Sequence, residues 1–119
     1  MIENAKITRT SLTMADHGCL TYWLFVEGSG WGCGIGGYAI GRGYLDADTF
    51  DGVNGYDIES MMRIMDTVGV DRWEDLPGKY IRVETEGWGS SIHKIGNLIS
   101  PKWFDLKEFF ETHQKECEV

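Results

Sequence analysis

This chain of 119 residues has few cysteines, few cations and no long apolar run, and each scarcity removes a class of protein. Its three cysteines, Cys19, Cys33 and Cys117, are odd in number and match no metal-ligand spacing, so neither a disulfide framework nor a zinc site is expected. Free thiols in a reducing compartment are the expected state. No apolar stretch approaches the length of a membrane span, and no charged-then-apolar leader with a small-residue cleavage site is present, which predicts a soluble, unexported protein. With 11 Lys and Arg against 19 Asp and Glu the net charge is −8, which repels phosphate backbones at long range and argues against binding duplex nucleic acid. That balance leaves two alternatives open: a local basic pocket in an acidic surface, or an acidic face that occupies a basic partner.

Catalytic signatures are equally scarce. Asp16, His17 and Cys19 invite a Cys-His nucleophile, but Cys19 opens an apolar strand, where thiols are usually inert, and Asp16-His17 reads more simply as a turn. His93 lies mid-strand with no carboxylate at a readable spacing, so it reads as a half-buried structural or ligand-contacting group and not as a general base. There is no H-x-x-x-H or C-x-x-C, and no metal or other cofactor is expected. Together these features predict a protein that is not an enzyme.

What the chain does hold is glycine and aromatic residues. Gly32-Cys33-Gly34-Ile35-Gly36-Gly37 reads literally as G-x-G-x-x-G, the pattern of a dinucleotide phosphate loop, yet no helix follows to supply a cluster of free N–H groups. Glycines fall instead on alternate positions from Gly28 to Gly36, with Trp31, Cys33 and Ile35 between them. Period two is the period of a strand, and one face stripped to hydrogen lets a ring, a second subunit or a ligand lie against the backbone. Aromatics make up 13% of the chain, with five Trp, an excess that suits stacking sites and subunit interfaces.

Ala5–Leu12 and Cys19–Glu27 alternate as a hairpin, and the second strand is apolar on both faces, which predicts that it is central and covered on both sides. The glycine strand completes a three-stranded meander. Residues 41–55, rich in Gly and Asp, form a long loop expected at a subunit interface or ligand pocket. Tyr56–Val68 carries Ile58, Met61, Met62, Met65 and Val68 as a helical stripe in which the methionines pack in the core, and Gly69 ends the helix. Asp71 can cap a single turn ending at Pro77-Gly78. Lys79–Thr85 and Ser91–Ile99 pair as antiparallel strands, and Trp103–Cys117 forms a last helix. The order βββ-α-ββ-α predicts a single α+β domain over residues 1–119, with an antiparallel sheet of about five strands and two main helices.

Isolated arginines stand beside glycine or aromatic residues: Arg42, Arg72 and Arg82. Arginine next to an aromatic can take a phosphate on its fork and a base on the ring, so Arg42, Arg63 and Arg82 are candidate phosphate ligands, with Tyr38 and Trp88 as candidate stacking residues. For Arg63 the alternative is an exposed pair with Glu59 four residues earlier.

The succession of D-H-G before an apolar strand, GWGCGIGGYAIG, MMRIMDTVGVDRWEDLPGKYIRVE and GNLISPKWF resembles, over nearly the whole chain, the phage Thoeris anti-defence family of the first type. That resemblance implies a phage protein acting in the host cytoplasm as a sponge, which binds a cyclic ADP-ribose isomer, and in some members cyclic oligonucleotides, without cleaving it. It also implies a homo-oligomer built from dimers, up to a hexamer. By position it assigns ligand contact to Met61, Arg63 and Asp71, where the family pattern has an aromatic, a basic and an amide residue. Met61 and Asp71 depart from that pattern. The alternative from another class is an acidic phage inhibitor that binds a host defence protein, as anti-CRISPR proteins do.

Overall fold

Apolar alternation along the first forty residues drives three long strands: β1 (Ile2–Asp16), β2 (Cys19–Gly28) and β3 (Trp31–Arg42). A helix, α1 (Gly55–Val68), follows, then one 3-10 turn (Trp73–Asp75), β4 (Tyr80–Glu84), β5 (Lys94–Asn97), β6 (Trp103–Asp105) and α2 (Leu106–Cys117). The computed structural model describes residues 1–16, 19–42, 55–86 and 91–117, with side chains for 1–14, 20–38, 58–86 and 91–112. His17, Trp88 and most of the expected loop over 41–55 lie outside that set.

All strands pair antiparallel in one six-stranded sheet of order β3-β2-β1-β4-β5-β6. The fold is therefore α+β with two helices, as the sequence predicts, and with one strand more. Trp103–Asp105, expected as the first turn of the last helix, is instead extended, because its backbone pairs with Lys94, Ile95 and Gly96. Asp105 then caps α2, its Oδ1 accepting the backbone N–H of Glu108 at 3.0 Å. Asp71 caps nothing: the 3-10 turn follows Arg72, which makes no side-chain cap bond.

One face of the sheet is the core face. Ala5, Ile7, Tyr22, Leu24, Val26, Ile35, Ile81, Val83, Ile95 and Phe104 are buried there with Ile64 of α1 and Leu106 of α2. The stripe of α1 that faces them differs from expectation. Ser60, Ile64 and Thr67 are its buried positions, while Met62 is 60% and Ile58 54% exposed, and Met61 and Met65 are only half-buried. Two hydroxyls can take core positions because each is bonded: Tyr22 donates to Ser60 Oγ at 2.9 Å, and Thr67 Oγ1 donates to the Arg63 carbonyl at 2.7 Å. Gly69 does end the helix, at φ +93, with its N–H on the Met65 carbonyl.

The opposite face carries neither helix, so among the described residues β2 is not covered on both sides. Trp23, 37% exposed, points to that open face together with half-buried Phe25. Its indole occupies the space left by the glycines of β3: a Cβ on Gly34 would come within 2.9 Å of it, and one on Gly37 within 2.4 Å. Gly36 and Gly37 both have positive φ, at +121 and +80, and the β2–β3 register shifts beside them. The bare strand thus receives a ring from its own chain. The same arrangement recurs where Trp31 lies over its partner Gly28 and Trp103 over its partner Gly96.

Gly37 and Gly30 share a positive φ near 80, but nothing lies near Gly30. Gly30→Ala should therefore cost about 1–2 kcal/mol, the left-handed penalty alone, and Gly37→Ala about 2–3 kcal/mol more, because the indole must move. Urea unfolding checks this, and the excess should vanish in a Trp23→Ala background.

Candidate functional site

The cluster that gathers predicted ligand residues lies on the helix-bearing side, where β3, α1 and α2 approach one another. Tyr38, on β3 beyond the register shift, stacks on Phe110 of α2 with centroids 4.3 Å apart and planes 13° from parallel. Phe110 meets Phe109 edge to face at 5.5 Å, and Phe109 meets Phe104 likewise at 5.4 Å. Arg63, from the outer flank of α1, holds its guanidinium 5.7 Å from the Phe109 ring centroid. Sequence reasoning found Tyr38 and Arg63 but missed Phe109 and Phe110, which read only as apolar positions of a helix. Their recurrence beside each other puts one ring on the core and leaves the next for the flank.

Arg63 also realises its alternative reading, since its Nε donates to Glu59 Oε2 at 2.6 Å with both side chains well exposed. The two roles are compatible, because a guanidinium has five donors and Glu59 takes the Nε edge. Such an exposed pair is weak, about 0.3–0.5 kcal/mol, and yields to a stronger anion. Met61, half-buried on the same helix, packs against the core at this end. Asp71 is exposed in the segment after α1. Arg42 closes β3 opposite Cys19, its side chain lying outside the described residues, as does Trp88.

Arg82 is directed elsewhere. Its Nε donates to the Asn97 carbonyl at 2.6 Å and its Nη2 to the Ser100 carbonyl at 2.8 Å, with the guanidinium over Trp103 at 4.7 Å. Asn97 completes that junction by donating to the Thr67 carbonyl and accepting from the N–H groups of Ile99 and Ser100. Arg82 thereby braces the β5–β6 turn against the end of α1. A second polar pair was hidden in the sequence: half-buried His93 lies with Nδ1 3.1 Å from Asp105 Oδ1, twelve residues away, brought there by the β5–β6 hairpin.

The electrostatics are mixed. Burial raises the Tyr38 phenol above its usual value near 10, and the charges of Asp105 and Glu111 raise it further. Burial alone raises the Cys33 thiol, so at neutral pH it is a neutral side chain. Among the described residues no group of three or more His, Cys, Asp or Glu is placed to hold a metal ion, and no helix is long and apolar enough to cross a membrane. Comparison with protein-family models, with curated proteins and with solved structures finds no match to this chain.

The raised Tyr38 pKa has a definite sign. The folded state holds the phenol proton more tightly than the unfolded chain does, so this contribution to stability is full below the unfolded value and is lost as pH rises through the folded one. Absorbance at the phenolate band should show a tyrosine step above the usual range that Tyr38→Phe removes.

Proposed function

We propose that this protein binds a cyclic nucleotide signal and holds it without chemistry, in the manner of the phage sponge family that its sequence resembles. One observation carries this reading: the Arg63–Phe109–Phe110–Tyr38 array, in which a guanidinium with spare donors sits beside a run of half-exposed rings. A purine can stack on such rings while the arginine fork takes a phosphate, and the two contacts together orient a small anionic ring. Sequestration asks for slow release and a preorganised site, and no stabilisation of a transition state. The braced neighbours of the array, Asn97 capping α1 and Asp105 capping α2, supply that rigidity. A cyclic ADP-ribose isomer is the expected ligand, the host cytoplasm the expected place, and no cofactor is required.

The active form is a homo-oligomer. β3 is an edge strand of twelve residues with no charge and no proline from Trp31 to Gly41, so neither of those common guards against edge pairing is present along it. Antiparallel addition of a second β3 would cover that edge and set two Tyr38 sites on one continuous sheet, the dimer from which larger rings are built.

Incubation with a panel of cyclic nucleotides, heat denaturation and mass spectrometry of the released molecule test the reading: the ligand should return intact. If Arg63 grips phosphate in a desolvated site, Arg63→Ala should weaken binding by about 2–5 kcal/mol, against less than about 1 kcal/mol for an exposed ion pair. Release of a cleaved product, or an affinity indifferent to Arg63 and Tyr38 substitutions in a folded protein, overturns it. A monomer at micromolar concentration by light scattering overturns the oligomer.

A further inference from the structure

The face of the sheet opposite the helices has its own chemistry, which the cyclic-nucleotide site does not use. Registers align its side chains in rows across the strands: Gly34, Phe25 and Arg9; Glu27, Lys6 and Tyr80; Asn4, Arg82, Gly96 and Trp103; Ile2, Glu84 and Lys94. Each aromatic row has a cation against its ring. Arg9 lies 3.8 Å from the Phe25 centroid, Lys6 5.8 Å from Tyr80, and Arg82 and Lys94 lie 4.7 and 5.5 Å from Trp103. Phe25 in turn stacks on Trp23 at 6.2 Å and 23°.

Among the described residues four cations, Lys6, Arg9, Arg82 and Lys94, share this face with three carboxylates, Glu27, Glu84 and Asp105, so it is net positive on a chain of net charge −8. At the far edge Asp105 turns its carboxylate to His93 and to the first turn of α2. Lys94 is paired with Glu84 at 3.2 Å and Arg82 with backbone carbonyls, which leaves Lys6 and Arg9, both exposed, without an ion pair among the described residues. The rings beside them are accessible, Tyr80 at 58% and Trp23 at 37%.

From this we infer that the open face is a binding surface for single-stranded nucleic acid, with bases on Tyr80 and the Trp23–Phe25 pair and phosphates on Lys6 and Arg9. Sheet geometry suits it: Tyr80 lies two strands from β2, about 10 Å at the usual strand spacing, and the glycines of β3 and β5 leave the rings flat on the backbone. Rings interleaved with cations are the recurring answer to a strand whose bases are unpaired. A second copy of the chain fits poorly, because it would bury Lys6 and Arg9 at the centre of an interface, where charge is usually depleted. A duplex fits poorly too, since its bases present no free face.

Fluorescence polarisation of a labelled oligothymidylate of about twelve nucleotides, within the usual site size of such surfaces, tests this on the full chain. Binding should appear at about 20 mM salt and fall with a log–log slope of about −1.4, the value for two neutralised phosphates. Lys6→Glu with Arg9→Glu, and separately the exposed Tyr80→Ala, should each weaken it about tenfold. Arg72→Glu, on neither site, and Arg63→Ala should leave it unchanged, so failure here and failure of the cyclic-nucleotide reading are separable. Absence of binding at low salt, equal binding by the charge-reversed protein, or equal binding of a duplex or an oligoglutamate of matched charge overturns the inference.

Discussion

The contact on which the rest of this structure depends is an indole lying on a glycine. Trp23 covers Gly34 and Gly37, Trp31 covers Gly28, and Trp103 covers Gly96, each ring seated where a side chain would otherwise stand. Glycine within a strand weakens it, and a cross-strand ring restores the lost packing. Because each ring needs a glycine opposite it, as for Trp31 and Trp103, or diagonal to it, as for Trp23, the contact also pins register. A slip of one residue would drive an indole into a Cβ and turn Tyr22, Leu24 and Val26 out of the core. At the two edges of the sheet, where pairing is supported from one side only, these contacts add to the backbone ladders and the buried Ile35 and Phe104 in holding β3 and β6.

With the sheet so fixed, the helix side follows. α1 packs against β3, β5, β6 and α2, and its rotation is set by the hydrogen bond from Tyr22 to Ser60 in place of a fully apolar stripe. A buried hydroxyl pair of this kind contributes about 1 kcal/mol, yet its larger effect is directional, since a helix turned by one position would break it. That rotation puts Arg63 on the flank facing Phe109. Asn97 holds the far end of α1 through the Thr67 carbonyl, so the arginine is presented from a helix anchored in its middle and at its end.

Much of the fold was legible because alternation and glycine placement are local signals. β1 to β3, α1 with its Gly69 stop, and β4 could be read that way. β6 could not, since Trp103-Phe104-Asp105 continues the apolar spacing of the helix after it, and only pairing with β5 makes it extended. The facing of α1 was misread because Ser60 and Thr67 look polar until their partners, thirty-eight and four residues away, are known. The candidate site was half legible. Arg63 and Arg82 were both candidate phosphate ligands, and only the fold separates them, spending Arg82 on backbone carbonyls and leaving Arg63 with donors to spare. The partnership of Tyr38 with Phe110 spans the chain and leaves no trace in local sequence. The cations of the open face are scattered over three strands, so their gathering against the net charge needs the register to be seen.

The proposed seat of a cyclic nucleotide against the Arg63, Phe109, Phe110 and Tyr38 array can be mapped by NMR chemical shifts during titration with a cyclic ADP-ribose isomer. The largest perturbations should fall on the Arg63 Nε–H and on the rings of Tyr38, Phe109 and Phe110, while Lys6, Arg9 and Tyr80 on the other face stay still. Saturable binding whose perturbations leave that array untouched, or no perturbation with any cyclic nucleotide, would contradict it.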